Sequence, residues 1–424
     1  MSTTMSTDTS APSGVGGRLR GLAGARRVWL GVAVLLVLIS VVRVVSGEDA
    51  LTSSSTFSAA LLLTAPILLV ALGGLYAERA GVVNIGLEGM MILGTWGAGY
   101  AGYQWGWQAA IVGGLLFGAL GGLLHAVATV TFGVDHVISG VAINILAAGV
   151  VRFLSESVYT GRDDGAGITQ SPGMASRPPS FSVPVLSSGP DLLGELEELH
   201  WFLISDLAGV LRGFTTGVGV LTLIAVLLVP ATYLLLWRTA FGLRLRSCGE
   251  NPAAADSLGV AVYRIKYIAV IISGALAGLG GVVLVFIANI YREGQTNGRG
   301  FIGLAALIFG NWRPGGLTGG ALLFGFADGL QLRSRSAVVA LLLLVAVLLV
   351  AICIWQLARR RVVQGVLALV FAAAALVGYL TIEELPTGIV SFTPHLVTLL
   401  VLSLASQRLR MPKADGLVYR RGEH

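Results

Sequence analysis

Residues Ser58–Ala77 read SAALLLTAPILLVALGGLYA, twenty positions without an Asp, Glu, Lys or Arg. As an α-helix, a run of that length rises about 30 Å, the thickness of a bilayer's hydrocarbon core. It has no polar face to turn toward water, so lipid and other helices must be its surroundings. Comparable apolar runs recur at 28–45, 82–101, 108–132, 136–155, 216–237, 266–289, 337–357, 363–380 and 389–406. They predict an all-α, polytopic transmembrane helix bundle. The stretch 301–332 departs from the pattern: two shorter apolar pieces flank Asn311-Trp312-Arg313-Pro314-Gly315-Gly316, and neither is a comfortable full span. A re-entrant hairpin or a broken helix pair is expected there, because irregular backbone at membrane depth needs protein or a water-filled cavity around it.

Composition agrees. Of 424 residues, 55% are hydrophobic and only 12% charged, against about 25% charged in soluble domains. The mean hydropathy is +0.83. Too little charge remains to cover a water-facing surface. The 58 glycines suit helices that associate in lipid, where small residues let backbones approach. Cys248 and Cys353 match neither a metal-site nor a disulfide spacing and read as small apolar fillers. The net charge of +6 sits at the ends of apolar runs. That pattern orients a membrane protein and does not point to nucleic acid as a partner.

The Arg and Lys bias sets an expected topology. Residues 1–27 read as a disordered cytoplasmic segment, Ser-, Thr- and Gly-rich to residue 17 and then carrying Arg18, Arg20, Arg26 and Arg27. No small-residue cleavage site follows, so 28–45 is a first span and not a signal peptide. The body 28–410 is the membrane domain. Its 238–265 loop, Arg359-Arg360-Arg361 and the tail 411–424 should be cytoplasmic, with 156–215 and Glu383-Glu384 outside. Within 156–215 a Pro-rich stretch precedes an amphipathic run, Asp191–Leu211. That run is either an interfacial helix resting on the outer leaflet or a docking surface for an external partner.

If such a bundle moves a solute uphill it needs energy, and this chain has no G-x-x-x-x-G-K-[ST] loop; its two lysines, Lys266 and Lys413, do not follow glycine. Energy must come from a partner ATPase or an ion gradient. In the 238–265 loop Asn251 is a good N-cap, Pro252 a good first helical residue, Ala253–Leu258 propagate a short helix and Gly259 ends it. Such a helix either seats in a groove of a soluble ATPase or is an ordinary capped surface helix.

Gly242-Leu243-Arg244-Leu245-Arg246, followed by Gly249-Glu250-Asn251-Pro252-Ala253-Ala254-Ala255 and Gly259, resembles the coupling loop of sugar and nucleoside permeases of the ABC importer superfamily. Asn84–Met91, Val137–Asn144 and Gly300–Pro314 are similar to three further signatures of that family, in order, and Pro412–Arg421 resembles its nucleoside branch. The resemblance covers about 55–333 and 389–421. It implies about ten core segments, with 337–380 as an extra helical hairpin. It also implies a second permease chain, a cytoplasmic ATP-binding-cassette ATPase and an extracytoplasmic solute-binding lipoprotein as partners. Gly249, Glu250, Asn251, Pro252, Ala254, Ala255 and Gly259 would couple the chain to the ATPase. No cofactor, metal or covalent chemistry is implied, and the chain is not expected to be an enzyme. Nucleosides or simple sugars are the implied solutes, with branched-chain amino acids as the alternative.

Polar residues inside spans are costly and mark paths or locks. Asn84 and Glu88 fall four apart, on one face if that stretch is helical, and Gly86 and Gly89 permit an unwound backbone. Glu88 either lines a path or pairs with Arg79 or Arg313. Ser139 and Asn144 lie about a turn apart, facing a path or a neighbouring helix. Asn311, Trp312 and Arg313 either stack and hydrogen-bond a solute ring or anchor the chain at the interface. His125, Asp135 and His136 read as polar residues near a turn, since no metal-ligand set closes around them. The rival class is an ion-coupled secondary transporter, for which internal repeats and carboxylate ion ligands are wanting.

Overall fold

The hydroxyl of Ser53 accepts the amide of Thr56 and so starts α2 (Ser54–Arg79), the helix around which the others gather. In the computed structural model, which describes residues 14–161, 167, 169–382 and 409–421, 83% of this span is buried, against 17% of the outermost one, α15 (Val362–Thr381). Alongside α2 runs α11 (Val262–Ala288), and their facing side chains build the main core with Leu68, Leu72, Leu279 and Val283. Next come α3 (Leu87–Trp105) and α4 (Trp107–Ala126), the latter running on through a π-helical turn, Val127–Thr131. Helices α4 and α11 touch backbone to backbone: a Cβ on Gly118 would collide with the Gly274 carbonyl. That contact is one use of the many glycines, since close approach replaces water exclusion as the source of helix attraction in lipid.

Around this centre stand α5 (His136–Tyr159), whose first amides Asp135 accepts, and α8 (Val220–Arg238). On the far side, α1 (Gly14–Ser46) and the hairpin of α14 (Arg335–Ala358) and α15 pack onto α13 (Pro314–Arg333) through Val42, Leu330, Ala337 and Val338. Among the described residues seven helices are long and apolar enough to cross a membrane, so the all-α polytopic bundle is the fold.

Several expectations change in detail. Helix α1 begins at Gly14, inside the segment 1–27 that the sequence sets apart. The run 82–101 is not one helix, since α3 begins only at Leu87 and 80–86 is non-helical. In 301–332 the two pieces are unequal. Helix α12 (Arg299–Phe309) has 11 residues, about 16 Å, whereas α13 has 20, about 30 Å; α13 is long enough to cross but is not among the seven helices that are also apolar enough. The amphipathic run splits into α6 (Leu192–Glu198) and α7 (Ile204–Thr215), because His200 and Leu203 turn the chain through positive φ between them. Arg212 ties the two together, 2.5 Å from Asp191 and 3.1 Å from Glu197. The predicted span 389–406 lies outside the described residues.

Candidate functional site

Helix α2 stops at Arg79, and the chain runs without regular structure to Leu87. Gly81 takes φ +82, a left-handed value that disfavours side chains with a Cβ, and the β-branched pair Val82-Val83 favours extended backbone. An open stretch inside a bundle strands its amides and carbonyls unless side chains replace the helix ladder. Three helices supply them: α4, α5 and α11. The Val83 amide donates to His136 Nδ1 (3.2 Å), and its carbonyl lies 3.0 Å from His125 Nε2. A carbonyl only accepts, so His125 carries a proton on Nε2, and in the neutral ring its Nδ1 accepts from Ser139 Oγ (2.9 Å). Asn144 bridges the far side, donating to the Ile85 carbonyl (3.1 Å) and accepting from the Gly89 amide (2.7 Å). Asn84 Nδ2 donates to Ser273 Oγ on α11 (2.9 Å), and Lys266 Nζ to the Gly81 carbonyl (3.4 Å). Asn84 Oδ1 is buried with no hydrogen bond among the described residues.

Beyond the break, Glu88 meets the start of α12. Its carboxylate accepts from the amides of Gly298 (3.0 Å) and Gly300 (2.6 Å). This is an acidic cap on a helix N-terminus, where free amides and the helix dipole favour negative charge. Gly300 has to be glycine, since a Cβ there would lie 2.5 Å from Glu88 Cα. The starts of two helices, α3 and α12, thus face one another across a single carboxylate.

A second constellation closes the other end of α12. Asn311 and Trp312 both take positive φ (52° and 53°), uncommon for Asn and strained for Trp. The conformation is held from α2: Arg79 Nη2 and Nε donate to the Trp312 carbonyl (2.7 and 3.1 Å), and the indole Nε1 donates to Glu78 (2.5 Å). Arg79 also lies over the Trp237 ring and 3.9 Å from Glu250, the last residue of α9 (Ala240–Glu250). From there Asn251 caps α10 (Pro252–Ser257) by accepting the Ala254 amide (3.0 Å).

The expected path residues therefore divide. Asn84, Glu88, Ser139 and Asn144 converge on the break, while Asn311, Trp312 and Arg313 sit at the other end of α12, about 16 Å along its axis. The one-face relation of Asn84 and Glu88 fails, because Asn84 is not helical. Glu88 caps α12 and pairs with neither arginine named for it. Trp312 is 4% exposed, with its nitrogen committed to Glu78, which leaves no ring face for a solute in this conformation. Of the coupling residues, Glu250, Asn251, Ala254 and Gly259 are exposed, Pro252 is half-buried, and Gly249 and Ala255 are buried against the bundle. Gly249 is packed so tightly under the end of α2 that a Cβ would strike the Arg79 carbonyl.

Sequence reasoning passed over the partners of the broken backbone. His125 and His136 looked like bystanders, and Ser273, Glu78 and Lys266 were not singled out; a Glu-Arg pair ending one apolar run and a lone Lys opening another were the available signals. It also passed over Leu258, an apolar residue 85% exposed beside α10. Among the described residues no three His, Cys, Asp or Glu gather as a metal site.

Residues 56–352 match the family described as "Branched-chain amino acid transport system / permease component". The chain belongs to this permease family. The permease is 33% identical over 373 residues to the guanosine ABC transporter permease protein NupQ of Bacillus subtilis, covering 86% of this chain and 96% of that one. It is 31% identical to the nucleoside ABC transporter permease protein NupC of Lactococcus lactis, over 85% and 94% of the two chains. A more partial likeness, 33% over 35% of this chain, links it to a probable branched-chain amino acid transport permease protein, LivH, of Methanocaldococcus jannaschii. No solved structure matches. With seven helices among its described residues long and apolar enough to cross a membrane, the permease is a multi-pass membrane protein.

Proposed function

We propose that the permease forms the membrane path of an ATP-driven importer for nucleosides, powered by a separate ATPase. The observation that carries this is its near end-to-end likeness to NupQ and NupC, two nucleoside-transport permeases. The break at 80–86 supports it. Unwound backbone at membrane depth belongs where a cavity or a solute needs polar groups. A nucleoside is uncharged and rich in hydrogen-bonding groups, and Asn84 Oδ1 is an acceptor left open for one. An amino acid would bring a full negative and a full positive charge. Glu88, the nearby carboxylate, is already engaged by the α12 amides, so the amino-acid reading is less favoured.

Three partners complete the reading. The ATPase docks on the exposed side of α10, where Asn251, Ala254, Ser257 and Leu258 face outward. A second permease chain covers part of α5, whose Ile138, Ile145 and Phe153 are each at least 65% exposed along one stripe. A solute-binding lipoprotein delivers from the α7 end. The Arg and Lys bias supports placing both termini and the α10 end on the cytoplasmic side and the α7 end outside.

The test is uptake of labelled guanosine into proteoliposomes. Complexes with the ATPase, the second permease and the binding protein should accumulate it only with ATP inside the ATPase compartment, and unlabelled leucine should not compete. Accumulation by the lone chain under an ion gradient would end the proposal.

A further inference from the structure

Residues 409–421 have no regular structure apart from one turn, yet they are tied to the bundle at intervals along their length. The Arg410 amide donates to Asn311 Oδ1 (2.6 Å) at the α12–α13 junction. The Ala414 amide donates to the Gly249 carbonyl (2.8 Å) at the end of α9. Val418 lies over Gly133, just before α5, where a Cβ on the glycine would come within 3.2 Å of it. Tyr263, at the start of α11, sets its hydroxyl 3.4 Å from the Tyr419 carbonyl and its ring 5.7 Å from the Tyr419 ring. Arg421 pairs with Asp256 of α10 (3.2 Å). One short peptide thus crosses the α12–α13, α9–α10 and α4–α5 connections and the start of α11, all at the end where α2 finishes.

Burial argues that this is docking and not casual contact. Ala414 and Asp415 are 6% and 7% exposed, although the segment carries Arg410, Lys413, Arg420 and Arg421 and would be soluble on its own. Asp415 is inserted among Glu78 and Arg79 of α2 and Lys266 of α11, the lysine that holds the Gly81 carbonyl. At Gly81 three backbones meet. A Cβ there would lie 3.1 Å from Gly249 Cα, 3.2 Å from the Ala414 carbonyl and 3.3 Å from the Cys248 carbonyl. The end of α9, the start of the break and the tail therefore form one packed joint.

We infer that residues 409–421 are a strap that locks α9–α10 to the break at 80–86, so that displacement of α10 is transmitted to the segment carrying Asn84 and, through it, to Glu88 and the start of α12. Ala414, Asp415 and Arg421 are positioning residues in this arrangement; none touches solute or nucleotide. The transmission half of the inference rests on the importer reading. The mechanical half does not, and the experiment separates them.

Deletion of 409–424, and independently Ala414→Trp, which wedges the strap away from Gly249, are to be compared with the intact permease by hydrogen exchange in detergent. Amides of 81–86 and 251–259 should exchange about tenfold faster or more in both variants, as a local opening unit that has lost its fastening does. Exchange in α14 should not move. Wild-type exchange at 81–86 in either correctly inserted variant would overturn the strap. In the full complex, the same variants should bind the ATPase normally but hydrolyse several times more ATP per solute moved. An unchanged ratio would overturn the transmission role, even with faster exchange. If the lone chain instead accumulates solute under a gradient, the importer reading falls while the exchange result still decides the mechanical strap.

Discussion

At the scale of single residues, two buried carboxylates do different work. Glu88 answers two backbone amides, and bonds to a charged group are worth about 1.5–3 kcal/mol each where burial would otherwise leave them open. Glu88→Ala should therefore lower the stability of the purified permease by about 2 kcal/mol or more, and Glu88→Gln by roughly half as much, since an amide oxygen still accepts without the charge that suits a helix start. Chemical unfolding in detergent measures both, and wild-type midpoints in the two variants would show that the carboxylate does not hold α12. Asp415 is governed by proton balance. Burial, reinforced by the Glu78 carboxylate and only partly offset by Lys266 and Arg79, pushes its pKa up to about 9 in the docked strap. Released into water it returns to about 3.9. The docked form thus holds a proton that the free form gives up, so this contribution to docking is complete below about pH 4 and is lost as the pH rises through about 9. Protease cleavage within 409–421 should be faster at pH 8.5 than at pH 6, and Asp415→Asn should flatten the difference. Faster cleavage at the lower pH would contradict the assignment.

At the scale of elements, α10 has two faces with opposite demands. Ala254 is exposed and Ala255 is buried against the bundle. Ala254→Trp should insert and fold normally but overfill the ATPase contact, at about 1–3 kcal/mol, which weakens association roughly tenfold or more. Ala255→Trp should disturb α10 itself. A pull-down with the ATPase, set beside hydrogen exchange of 251–259, separates the two effects; equal association of wild type and Ala254→Trp would remove α10 from the docking surface. The hairpin α14–α15 invites the reverse expectation. Among the described residues it meets the bundle through the start of α14, against α1 and α13, and α15 is the least buried of the seven long apolar helices. Deleting 337–380 leaves the parity of passes unchanged, so most uptake should survive. Complete loss of uptake with normal expression and assembly would place the hairpin in the mechanism.

At the scale of the whole molecule, the Arg and Lys bias predicts that the α10 end is cytoplasmic and the α7 end external. With Cys248 and Cys353 replaced, a single cysteine at position 180 should react with an impermeant reagent from outside intact cells, and one at 360 should not; the opposite pattern would invert the molecule. The bundle itself was decided by sequence alone. A run such as Ser58–Ala77 has no soluble alternative, because nothing within it can meet water, and a capped turn at Asn251-Pro252 is local chemistry that needs no distant partner. What depended on distance in the chain was out of reach. Nothing near Val83 announces that His125 and His136 will receive its backbone, because hydrogen-bond partners 42 and 53 positions away are chosen only when helices pack. Trp312 read as a surface for a solute ring or as an interface anchor, and nothing near it announces that its indole will donate to Glu78, 234 positions earlier. In the sequence the strap showed as a cytoplasmic tail resembling the nucleoside branch, with nothing to say where it docks. Its Asp415 became a buried carboxyl, and its Ala414 amide a fastening, once α2, α9 and α11 had come together to enclose them. Periodicity and charge report what a segment does with solvent; which polar group satisfies which is settled by the burial that folding creates.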